Sequence, residues 1–134
     1  MKPGSLPYIE VPTTRGTVKL LVDCGANVNI ISKKWAYSAN KKIISIPNKS
    51  LKGVTGNGVI NEKILLNPFF PIIQTKFEFL ILDFHPFFDG IIGTEIIFDD
   101  EFNLSSRKSV IQIQSNKGKI FEIPLKFDKP NPVP

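Results

Sequence analysis

Apolar residues along this chain come in short runs, each closed by Gly, Pro, Asn or Asp, and no run keeps a helical period long enough for a long helix. That pattern restricts the fold to strands and tight turns. Residues 8–11 and 17–22 flank a turn region at 12–16 and predict an opening hairpin. Residues 28–31, 43–46 and 77–82 predict further strands, the last buried on both faces or nearly so. Within 51–66, Gly56-Asn57-Gly58 marks a projecting, glycine-loosened hairpin, because Asn-Gly accepts the positive φ angles that a two-residue turn requires. Residues 109–114 and 119–125, around Ser115-Asn116-Lys117-Gly118, predict another hairpin. Helix is expected only briefly, as a turn within 32–40 and a short helix over 94–100 capped by Thr94. The expected class is therefore all-β, with about eight short strands.

At 134 residues and 15.0 kDa the chain has room for one core. We assign residues 8–127 to a single domain, with Pro-, Gly-, Ser- and Asn-rich ends at 1–7 and 128–134 expected to be flexible. The net charge of +5 could suit an acidic partner, but the lysines are scattered singles and pairs without interleaved aromatic residues. Nucleic acid is accordingly not an expected partner. The single cysteine forbids an intrachain disulfide and suggests a reducing, intracellular setting. With only one histidine besides, the usual zinc spacings are absent and no metal or other cofactor is expected. Neither an apolar signal core nor a membrane-length stretch is present, so secretion by the ordinary route and a membrane partner are not expected. The pairs Phe69-Phe70 and Phe87-Phe88 are expected in the core or a pocket wall, and His85 in a partly exposed turn.

The chemistry is concentrated in Leu20-Leu21-Val22-Asp23-Cys24-Gly25-Ala26-Asn27-Val28-Asn29-Ile30-Ile31, where one acid stands between two apolar runs. One reading is local, since the side chain of an Asp-x-Gly turn caps its own backbone. The other is that a carboxylate held at the end of a buried strand is kept there for chemistry. Cys24 as a nucleophile would need a base, and His85, set before Pro86, offers no reason to pair with it.

Taken with the rest of the chain, this stretch resembles the active-site loop of the aspartic proteases, apolar-apolar-Asp-Thr/Ser-Gly-Ala/Ser. Phe88-Asp89-Gly90-Ile91-Ile92-Gly93-Thr94-Glu95-Ile96-Ile97 resembles their second signature, two apolar residues and Gly before a short helix. Order and spacing are similar to a retropepsin subunit of retroviruses and gypsy-class LTR retrotransposons. The resemblance implies a small closed barrel-like fold with one short helix after Ile-Ile-Gly and a flap hairpin, working as a homodimer on an extended polypeptide, inside the cell or in virus-like particles. Asp23 would be the catalytic residue, one from each subunit, and the two carboxylates would share a proton, because two like charges at such close range cannot both ionise easily. Cys24, Gly25 and Ala26 would form the active-site loop. Asn27, Gly53, Val54, Thr55, Gly56, Asn57, Gly58 and Ile91 would contact substrate.

The chain departs from the family at Cys24, where a hydroxyl residue makes cross-dimer hydrogen bonds, and at Asn27 and Thr94, where many viral members carry a paired Asp and Arg. It also continues about 35 residues beyond Asp99, further than the smallest viral members. The alternative reading is a protease-like domain that serves as a dimerisation or peptide-binding module without efficient catalysis.

Overall fold

The computed structural model describes residues 6–50, 59–105, 107–115 and 117–128. Strands β1 (Leu6–Thr13) and β2 (Gly16–Val22) form the expected opening hairpin, with Tyr8 opposite Leu21 and Thr13 opposite Gly16. Its turn is tied by the Thr13 hydroxyl, which donates to the Gly16 carbonyl at 2.7 Å and accepts from the Arg15 N–H at 3.1 Å. Gly16 closes it at φ 120°, a value that disfavours any side chain. Alternation then sends Val18, Leu20 and Val22 into the core.

Next come β3 (Asn29–Ile31), α1 (Lys33–Ser38), β4 (Ile43–Lys49), β5 (Ile60–Leu66) and β6 (Phe77–Ile81). Helix α1 starts at Ser32, whose hydroxyl accepts from the Trp35 N–H, and it buries Trp35 and Ala36. After these lie β7 (Gly90–Ile92), α2 (Thr94–Ile97), β8 (Phe102–Ser105), β9 (Val110–Gln114), β10 (Ile120–Pro124) and β11 (Lys126–Asp128). The cap of α2 is the backbone of Gly93 and not the Thr94 side chain, which is already inside the first turn.

The larger sheet runs β11-β1-β2-β7-β3-β6-β5-β4, and a smaller one runs β10-β9-β8. Among the described residues the strands thus form two sheets with open edges, and no closed barrel is found. Helix is present twice, at α1 and α2, not once. Strand β7 lies parallel to β2 and antiparallel to β3, and β3 is parallel to β6. Consecutive residues of β3, β6 and β7 therefore serve opposite faces. Ile31, Phe79, Ile81 and Ile92 enter the main cluster with Leu20 and Ile96, while Ile30, Leu80 and Ile91 join a second one with Ile60 and Leu82. This accounts for the nearly unbroken apolar lettering of these strands.

Of the Phe pairs, Phe69 and Phe88 are buried, Phe87 is half-buried and Phe70 is exposed, so the core expectation fails at Phe70. Among the described residues no helix is long and apolar enough to cross a membrane. Residues Gly53 to Gly58, expected to form the tip of the flap, lie outside the described residues. Strands β4 and β5 on either side pair antiparallel, with Lys49 opposite Ile60.

Candidate active site

Although β2 and β3 are close in sequence, β7 sits between them, so residues 23–28 must step across its end. This crossing places the Asp-Cys-Gly turn at the mouth of the sheet. The Asp23 N–H donates to the Ile92 carbonyl at 3.0 Å, extending the β2–β7 ladder by one residue. Its carbonyl accepts from the Ala26 N–H at 3.1 Å, closing the turn. The carboxylate is half-buried, and Oδ1 accepts from the Gly25 N–H at 2.8 Å. The turn-capping role is real, but it engages one oxygen. No hydrogen bond among the described residues reaches Oδ2.

The loop is fastened beneath by α2. Ala26 carbonyl accepts from the Thr94 N–H at 2.8 Å, so a backbone bond joins the elements that carry Asn27 and Thr94. Gly93 permits this approach, because a Cβ there would stand 2.5 Å from both the Ala26 and the Val28 carbonyl oxygens. Gly90 is confined likewise, its Cβ position being 2.4 Å from the Ile30 carbonyl oxygen. Asn29, only 2% exposed, completes the support. Its Oδ1 accepts from the Gly93 N–H at 2.8 Å, and its Nδ2 donates to the Glu78 carbonyl at 3.1 Å and to Glu95 Oε1 at 3.3 Å. Sequence reasoning does not single out Asn29; the available signal is a polar residue within an apolar run buried on both faces, where a polar group must find hydrogen-bond partners.

Asp89, the acid of the second signature, points elsewhere. Its Oδ2 accepts from the Lys19 N–H at 2.8 Å, its N–H donates to the Lys19 carbonyl at 2.8 Å, and its own carbonyl accepts from the Ser32 N–H at 2.7 Å. It ties β2, β7 and the start of α1 together. Beside Asp23 lies a mostly apolar cavity of about 490 Å³. One wall is Leu6, Leu21, Val22 and the turn itself, and the other is Leu104, Leu125 and Phe127 from the C-terminal strands. Among its described lining residues Asp23 is the only acid.

Cys24, Gly25 and Asn27 are exposed, Ala26 is half-buried, and Ile91 is buried in the second cluster, outside the lining of this cavity. The structure therefore brings Asp23, Cys24, Gly25 and Ala26 together and sets Asn27 on the same loop. His85 stands in an exposed turn, where its Nδ1 accepts from the Phe87 N–H at 3.0 Å. Among the described residues no group of three His, Cys, Asp or Glu could hold a metal ion.

No family model and no curated protein matches the chain. Among solved structures it is similar to the retroviral protease-like domain of Ddi1 from Leishmania major, with a TM-score of 0.61, 17% identity, and 90% of this chain and 94% of that one covered. At that identity the likeness shows the fold alone. A mostly β architecture, a glycine-fastened Asp-Cys-Gly turn and this likeness together give the chain a retropepsin-like fold.

Proposed function

We propose that the chain is one half of an aspartic endopeptidase, completed when a second copy sets its own Asp23 beside the first. The observation that carries this reading is a carboxylate, the only acid among the described lining of an apolar cavity, with one oxygen held by its turn and the other without a hydrogen bond among the described residues, on a glycine-fastened loop. One carboxylate cannot supply both a base and an acid; two related by a two-fold axis can. The charged member would take a proton from a water between them as that water attacks the scissile carbonyl. The protonated member would hydrogen-bond the carbonyl oxygen. This chemistry calls for no metal or organic cofactor.

The substrate would be an extended polypeptide, crossed by residues 53–58 and bonded by the backbone around Gly25, Ala26 and Asn27. A polyprotein of a retroelement, processed inside the cell or in virus-like particles, is the substrate that the sequence motifs favour. Cys24 supports a second reading, a paired module without efficient catalysis, because a thiol replaces the hydroxyl expected beside Asp23. Incubating the pure chain with a peptide library separates the two. The proposal expects cleavage that Asp23→Asn abolishes; cleavage surviving in Asp23→Asn would refute it.

A further inference from the structure

A second cavity, of about 140 Å³, opens at the β1–β2 turn and shares no lining residue with the one beside Asp23. Its inner walls include Val18, Leu20, Ile31 and Phe79, all buried. At its mouth the Arg15 guanidinium stands 5.6 Å from the centroid of the Trp35 ring. We propose that this cavity binds a small carboxylate bearing one ring or one branched alkyl group.

Three features carry the assignment. The volume is close to that of the engineered apolar cavities of roughly 150 Å³ that stay dry and take up benzene, so one phenyl or leucine-sized group fills it. The neutral polar side chains of the rim are already occupied. Thr13 Oγ1 donates to the Gly16 carbonyl, while Asn67 Nδ2 donates to the Ile73 carbonyl at 2.6 Å and its Oδ1 accepts from the Phe69 N–H at 3.0 Å. Arg15 has no acidic partner among the described residues, where the only ion pairs are Lys63 with Glu78 and Lys126 with Glu10. A neutral polar ligand thus finds few free groups at the rim, whereas a carboxylate meets an uncompensated guanidinium already stacked in place. The acid could be a free small molecule or the terminal residue of a peptide, since both present an apolar group next to a carboxylate.

Trp35 is the only tryptophan and lines the cavity, so its emission reports occupancy. The full chain is titrated with phenylacetate, phenylacetamide, acetate and N-acetylphenylalanine. The proposal expects a saturable change with phenylacetate, binding about fivefold weaker for the amide, and none of note for acetate. Arg15→Gln, at an exposed turn, should weaken phenylacetate to the level of the amide and leave the amide unchanged. Tighter binding of N-acetylphenylalanine than of phenylacetate assigns the site to a chain terminus, and the reverse order to a free acid; either supports the shared chemistry. No saturable change with phenylacetate, equal binding of acid and amide, or acetate matching phenylacetate would overturn it.

Discussion

Asn29 is the residue on which the geometry of the Asp-Cys-Gly loop most depends, because one buried carboxamide holds the Gly93 N–H and reaches both Glu78 and Glu95. Asn29→Ala strands a buried N–H and opens a small void, which together should destabilise the fold by about 2–4 kcal/mol in urea unfolding. A loss below about 0.5 kcal/mol would mean that the network is dispensable. Cys24 bears on pairing instead. It is exposed in the single chain, on the turn that a second copy would cover. If it sits beneath Asp23 at the two-fold axis, Cys24→Thr restores cross-subunit hydrogen bonds and should lower the dissociation constant about tenfold in sedimentation equilibrium. Weaker pairing would show that the site is adapted to sulfur.

At the scale of elements, the strands with local partners are legible from sequence, since β1 and β2 or β9 and β10 are joined by short turns with Gly at fixed places. The Asp-Cys-Gly turn is legible for the same reason. What the sequence does not reveal is non-local. Nothing near Gly90 announces that β7 inserts between β2 and β3, because neither its parallel pairing with β2 nor its antiparallel pairing with β3, about 60 residues away in sequence, is joined by a short turn. The return of β11 to β1, with Leu6 opposite Asp128, is equally hidden, and it places strand structure on residues expected to be loose ends. A Thr before an apolar run looks like a cap, which is why Thr94 misleads, whereas the close approach of Ala26 and Val28 requires Gly93 at that place.

Strand β11 is further held by an ion pair between Lys126 and Glu10. The hydrogen bond from Lys126 lowers the Glu10 pKa, and the same bond raises that of Lys126. The contribution of Glu10 is therefore present above the usual carboxylate range and lost as pH falls through its lowered value; that of Lys126 is lost as pH rises through its raised value. Protection of the β11 amides against hydrogen exchange, corrected for intrinsic rates, should fall modestly at the acid end. Lys126→Gln should flatten that dependence. Acid-independent protection in the unaltered chain would remove the ion pair from the account.

For the whole molecule, the first and last described strands, β1 and β11, meet beside Asp23, since β1 and the C-terminal strands build opposite walls of one apolar cavity. Under the proposed function, a single carboxylate beside so apolar a surface would be half of a site. Mixing tests this directly: a fixed amount of active chain is equilibrated with increasing Asp23→Asn chain and the cleavage rate recorded. If each working unit needs an Asp23 from two copies and the copies pair at random, a ninefold excess of Asp23→Asn should cut the rate to about a tenth. A rate unchanged by that excess, with subunit exchange confirmed, would contradict the account.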